Sequence, residues 1–436
     1  MLDIIGRGKN RSRRGARAST NSTRCLGWLA AFSLLLSWEG FADWPQWRGP
    51  RRDGVLVGET LPTQLPAEPK ALFRHPIGDG HAGPVVASHR LVFLDNQGER
   101  ETAHCLEFPS GKPLWSTAYG ELYSDEFGSG PRCTPLVDGD RVYVQSCLGE
   151  FRCLDLADGK TRWRFHFGDY GMVWIHDRNE GGGAASRRGN TGSAVVDGDR
   201  VIVQVGSTQG ASLAAFDKRD GKLLWKSQND LTTYSSLSVG TLAGRRQVIA
   251  ATCEGLLSLA VEDGGVLWRQ PFKTRANRNV LTPLVDGDDV LFSACSIPLN
   301  RQRIVAKDGI LQPAGQWTNR SLTINLVTPT LAGQHLYGIG AERSQRYVCV
   351  DARTGALAWS KAGFGEVAST FTDGERLLVL ADSGECLLLA ADPSRFHELG
   401  RFQAVGKTYA HPALSNGILV ARDSRSLVAF EISPAR

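Results

Sequence analysis

The chain has 436 residues, of which 42% are hydrophobic and 22% charged, with a formal charge of +5. That is the balance of a folded globular protein, neither disordered nor fibrous. The charge is localised: residues 1–42 hold seven basic and two acidic side chains, and residues 43–436 hold 43 of each. The main part therefore has no basic surplus with which to bind nucleic acid.

In chain order, residues 1–42 have the layout of a secretory signal peptide. A basic head ending at Arg24 precedes the apolar run CLGWLAAFSLLLSW, and small residues stand at Gly40 and Ala42. The run is shorter than the ~20 residues a membrane span needs. Cleavage after Ala42 is expected, giving a periplasmic or secreted protein with no transmembrane span in the mature chain. The pair Arg13-Arg14 leaves Sec and twin-arginine export both open. Next comes DWPQWRGPRRDG, Asp43–Gly54, which offers Trp44 and Trp47 as anchors and is expected to wrap the domain that follows.

That domain is written in repeats. TPLVDGD occurs verbatim at Thr134–Asp140 and Thr282–Asp288, with weaker copies beginning at Gly83, Ser193, Ser235, Thr328, Ser369 and His411. These eight copies recur about every 47 residues, a period of propellers or helical arrays. Asp-Gly or Asn-Gly at the centre of an apolar run joins antiparallel strands by a tight turn, which favours the propeller. A second phrase, Asp-x3-Gly-x3-Trp, follows: Asp155, Gly159, Trp163; Asp217, Gly221, Trp225; Asp351, Gly355, Trp359. Looser versions end at Trp115 and Trp268, and an insertion breaks the phrase around Trp317. The Asp can accept bonds from turn amides, the Gly can take the left-handed conformation, and the Trp begins the next strand as a wedge between units. These roles are structural.

One unit is then a meander of four antiparallel strands, apolar on both faces and unable to stand alone. The expected fold is all-β: an eight-bladed β-propeller over residues 43–436. The last copy lacks its Trp strand, and KALFRHPIG, Lys70–Gly78, resembles such a strand with Phe73 in the Trp place. The N-terminal segment is therefore expected to close the last blade.

Eight cysteines follow the leader, and Cys105, Cys153 and Cys349 occupy the same place in the repeat, which suits small buried residues better than a disulfide framework. The disulfide state stays open, with Cys147 and Cys153 as the first pair to check. No spacing suits a metal site. Reading before or at each inner strand places His81, Arg132, Asn190, Tyr234, Arg278, Asn279, Glu366 and His411 at the central channel. They suit either a ligand-binding funnel or a solvated mouth. The long departure Phe165–Asn190 carries Trp174, His176, Asp177 and Arg178 and is expected to be a partner-binding loop or a plug over the channel. A second departure, Ile297–Arg320, is expected to form an outer loop.

These phrases resemble the pyrroloquinoline quinone (PQQ)-like repeat propellers, over essentially all of residues 43–436. The family resemblance implies two functions on one fold. One is a non-catalytic scaffold binding envelope proteins or a small ligand, similar to outer-membrane-assembly proteins of the BamB type. The alternative is a quinoprotein dehydrogenase in which PQQ and Ca²⁺ in the funnel oxidise an alcohol or sugar. The dehydrogenase pattern is not matched: no adjacent cysteines occur, and its Ca²⁺ ligands find no counterpart. The scaffold reading, without catalytic residues, cofactor or metal, is the expectation. No WD-repeat signature is present.

Overall fold

The computed structural model describes residues 42–173, 189–274, 277–341 and 344–433. Residues 1–41, expected as a signal peptide, and Trp174, His176, Asp177 and Arg178, expected in a partner-binding loop, lie outside the described residues. The remainder forms eight four-stranded antiparallel sheets. Blades 1 to 7 span residues 85–121, 136–166, 195–227, 238–271, 284–319, 330–361 and 368–403, and blade 8 takes 413–431 plus 70–76. In blades 1 to 7 sequence order is spatial order from the axis outward, and in blade 8 Lys70–Pro76 takes the outermost place. One 3-10 turn, Phe167–Tyr170, follows blade 2. Among the described residues no helix is long and apolar enough to cross a membrane.

Burial follows this radial order. Second strands such as Arg141–Gln145 are buried at nearly every position, because a neighbouring blade covers each face. Fourth strands such as Thr161–His166 alternate between exposed and half-buried positions, as expected where one edge meets water. Fourth-strand tryptophans sit opposite a small residue of the third strand: Cys105 with Trp115, Cys153 with Trp163, Cys349 with Trp359. The eight cysteines among the described residues are free thiols, Cys147 and Cys153 included. Cys147 lies in the turn after the second strand, whereas Cys153 is well inside the third, opposite Tyr143.

The Asp-Gly-Trp phrase is a docking joint between blades. Asp155 caps its turn by accepting from the Ala157 amide at 2.8 Å. Asp217 and Asp351 do the same for Arg219 and Arg353. Gly159 takes φ +72°, and a Cβ there would lie 2.5 Å from the Trp115 ring of the preceding blade. The indole then donates to a carbonyl of that same turn: Trp115 to Leu156 at 2.9 Å, Trp163 to Lys218 at 3.3 Å, Trp225 to Val261 at 3.0 Å. Trp317 docks likewise on Gly355 and donates to Ala352, and Trp359 donates to Asp392. Trp268 is the exception, donating within its own blade to Gln247 Oε1 at 2.6 Å. Blade 5 offers it no such turn. The segment expected as an outer loop is instead the long hairpin Ile297–Lys307 and Ile310–Asn319, the third and fourth strands of that blade. Its outer strand packs on the fourth strand of blade 4, Val266–Pro271.

The ring closes as expected. Lys70–Pro76 pairs antiparallel with Ser426–Glu431, Phe73 opposite Ala429. Phe73 meets Gly111 of blade 1 as the tryptophans meet their glycines, and His75 Nε2 is 2.7 Å from the Gly111 carbonyl oxygen.

Between blades 1 and 2 lies a buried acid. Glu101 is inaccessible to solvent and sits against Tyr119 and Ser146. Burial, outweighing those two neighbours and Arg132, raises its carboxyl from 4.5 to about 8. Such a group favours the folded state while protonated, and stability is lost as pH rises from about 4.5 toward 8. Glu101→Gln is expected to melt several degrees above the parent at pH 8 and with no advantage at pH 4, read by thermal denaturation. The docking joint gives a second expectation. Gly159→Ala imposes both left-handed strain and a ring clash, and should lower stability by at least ~2 kcal/mol. Gly139→Ala, with φ +58° but nothing within 4 Å, should cost about 1 kcal/mol in the same urea titration.

Candidate functional site

Each inner strand is entered through a short extended segment, so alternate residues face the axis. Two rings of side chains result. The ring nearer the mouth comprises His81, Arg132, Thr191, Tyr234, Val280, Leu326, Glu366 and Tyr409, one from each blade. Two residues further on, hydroxyls link neighbouring blades. The amide of Gly83 donates to Thr134 Oγ1, Thr134 to Ser193 Oγ, Ser193 to Ser236 Oγ, Ser236 to Thr282 Oγ1 and Thr282 to Thr328 Oγ1, at 2.9–3.3 Å. His411 holds this position in blade 8, its Nδ1 3.0 Å from Ser369 Oγ. A Cβ at residue 83 would come 2.5 Å from the His411 carbonyl oxygen, so glycine stands at the joint between last and first blades. The recurring Thr or Ser before the inner strand was visible in the repeat but carries no signal of this belt by itself.

The rings enclose a cup of about 290 Å³. Of the eight residues expected at the channel, His81, Arg132, Tyr234, Arg278, Glu366 and His411 line it. Asn190 and Asn279 do not. Each stands three residues before its hydroxyl, an odd step that turns it outward, and each is buried between blades. Asn190 accepts from Gln145 Nε2 at 3.1 Å and donates to the Gln204 carbonyl. Asn279 donates to the Thr252 carbonyl at 2.8 Å and accepts from Thr274 Oγ1 at 2.9 Å.

The floor comes from the N-terminal segment, which runs across the axis instead of wrapping the outside. Trp44 is buried against Phe371, ring centroids 4.4 Å apart, and Trp47 faces the cup edge-on to His411 at 5.5 Å. Arg48 and Arg52 stack against Trp47 at 5.6 and 5.3 Å. Both donate mainly to backbone carbonyls, with Arg48 also reaching Thr330 Oγ1 at 3.1 Å and Arg52 reaching Gln46 Oε1 at 3.2 Å. Arg48 donates to Thr328, to Pro329 at 2.8 Å and to Asp53 at 2.7 Å. Arg52 donates to Leu237 at 3.1 Å, Ala194 at 2.8 Å and Ser193 at 3.2 Å. Neither joins an ion pair among the described residues, and burial lowers them to about 10 and about 9, Arg52 being repelled further by Arg48. Both stay charged at neutral pH. His411 is held neutral, down to about 3, by burial and then by Arg48.

On the mouth side, a small hairpin, Ser124–Asp125 with Gly128–Ser129, carries Phe127 over the cup, 46% exposed. Arg132 grips it through both oxygens of Asp125, at 2.9 and 2.5 Å. His81 Nε2 lies 3.0 Å from the Phe127 carbonyl oxygen. Burial and Arg132 together push His81 down from its ordinary value. A Ca²⁺ ion with its quinone does not fit this lining. Calcium takes six to eight oxygens, several from carboxylates, and Glu366 is the one carboxylate among the residues lining the cup. Among the described residues no group of three or more His, Cys, Asp or Glu is placed to hold a metal. The belt itself is testable. Thr282→Val strips the Ser236 amide of its acceptor and should cost roughly 1–3 kcal/mol by chemical denaturation, whereas Thr282→Ser should cost little.

Compared with known proteins, the chain matches a family model described as outer membrane protein assembly factor BamB, over residues 51–204 and 101–361. It is 22% identical over 332 residues to the outer membrane protein assembly factor BamB of Shewanella oneidensis, covering 72% of this chain and 77% of that one. Among solved structures it resembles BamB from Moraxella catarrhalis, at 12% identity and TM-score 0.56, over 83% of this chain and 99% of that chain. It also resembles quinohemoprotein alcohol dehydrogenase from Comamonas testosteroni, at 12% identity and TM-score 0.59, over 91% and 81%. The structural likenesses establish the fold alone; the family match, spanning most of the eight-bladed ring, establishes more. The chain belongs to the PQQ-repeat β-propeller family whose model carries the description outer membrane protein assembly factor BamB.

Proposed function

We propose that this chain is an exported, non-catalytic propeller of the cell envelope that binds a partner through the cup and its mouth. The observation that carries the reading is the floor. Trp47, with Arg48 and Arg52 beneath it, closes the axis from within the chain and leaves a shallow cup with a single carboxylate. That arrangement suits recognition by shape and charge, and lacks the oxygen donors that a metal-activated quinone calls for. The basic and apolar leader of residues 1–42 supports export, with cleavage near Ala42. The relative from Shewanella is named for outer membrane protein assembly, which supports an envelope protein as partner.

The test is titration of the purified protein with PQQ, with and without Ca²⁺, followed by absorbance and by dye reduction with alcohols and sugars. The expected result is no Ca²⁺-dependent saturation and no substrate-dependent dye reduction. Stoichiometric, Ca²⁺-dependent uptake with turnover would replace this reading by the dehydrogenase one.

A further inference from the structure

The cup is electrically lopsided. Arg278, on the approach to blade 5, is half-buried and lines the cup, yet makes no hydrogen bond or ion pair among the described residues. The other lining guanidinium, Arg132, is already committed to Asp125. Under the floor, Arg48 and Arg52 add two charges balanced by carbonyl dipoles instead of carboxylates. Glu366 is exposed at the lip and close enough to Lys407 to act on its charge. In a walled site such charges reinforce one another, and the interior attracts an anion.

Opposite Arg278 the cup has an exit. A second cleft, of about 360 Å³, shares His81, Phe127 and Tyr409 with it and continues between blades 8 and 1. In a closed ring of eight, blades 1 and 5 face each other across the axis. The cleft carries Asp79, Glu126 and Asp423 against Lys407, with Arg422 buried behind them. An anionic group is therefore favoured at the far wall and disfavoured along the way in. The wall around Arg278 is apolar: Val280, Leu326 and Val327.

We propose that cup and cleft together hold the carboxyl-terminal end of an extended peptide. Its terminal carboxylate pairs with Arg278, and its last side chain lies over Trp47 against Val280 and Leu326. The preceding residues lead out past Tyr409 along the cleft. A guanidinium takes a carboxylate through two parallel bonds, and about 290 Å³ has room for one large side chain. This inference rests on the binding-propeller reading and names what that propeller binds.

The probe is a hexapeptide, GSGSLF, labelled with fluorescein at its amino end and titrated with the purified protein by fluorescence anisotropy. The free acid is expected to bind at least about tenfold tighter than its carboxyl amide. Arg278→Gln should bring the two within about twofold of each other, while Arg278→Lys keeps part of the preference. Thermal melting of each variant shows whether it is folded, and the acid-to-amide ratio on the unaltered protein stands whatever the variants do. Equal binding of acid and amide, no binding of either, or 3-phenylpropionate binding as tightly as the hexapeptide would each overturn the inference. None of those outcomes bears on PQQ uptake, so this claim and the binding-propeller reading can fail separately.

Discussion

An indole lying on a glycine holds this ring together. The blades share no backbone ladder with one another, only single main-chain bonds such as His81 to Pro131 and Tyr234 to Asn279, so the seams lean on side chains, and the repeated contact sets the distance between fourth strand and neighbouring turn. The flat ring covers the glycine Cα, a bond from indole nitrogen to turn carbonyl fixes its rotation, and the Asp upstream holds the turn in shape. Burying the indole is worth a few kcal/mol per seam. Where the turn is missing, in blade 5, the contact is replaced by a longer strand lying on the neighbour. A seam can change its chemistry provided it keeps its spacing.

The site depends on that spacing. The belt of hydroxyls spans the blades at 2.9–3.3 Å, which demands that neighbouring inner strands keep one distance around the ring. It also turns the same face of every entry segment to the axis. A cup built this way has eight independent lining positions on a fixed frame, so its chemistry can vary without disturbing the fold.

How far the sequence could be read follows from how local each signal is. The blade count, the Asp-Gly-Trp joint and the closing role of Phe73 rest on phrases that repeat, and repetition separates them from chance. Asn190 and Asn279 depart from the expected channel position because each stands an odd step before the Ser or Thr of its repeat, and those hydroxyl residues carry the register that turns both amides between blades. The hairpin at Ile297–Asn319 hid behind a broken phrase, although Asp308-Gly309 between two apolar runs is itself a hairpin signal. Arg48 and Arg52 left no trace. Their partners are main-chain carbonyls of blades 3, 4 and 6, which any sequence provides, so a buried arginine of this kind looks like a surface one.

Residues 44–56 hydrogen-bond to inner strands on several sides of the axis, and residues 70–76 complete the last blade. Residues 44–76 are thus both hub and clasp, and the clasp cannot be finished until Ser426–Glu431 exists to receive it. Such pairing between distant parts of a chain is slow to form. A nascent chain would have to carry an uncommitted, tryptophan-rich head through the synthesis of seven blades. Closure of the ring is therefore a late event of folding, and a chain stopped short of its last strands would leave the clasp without a partner.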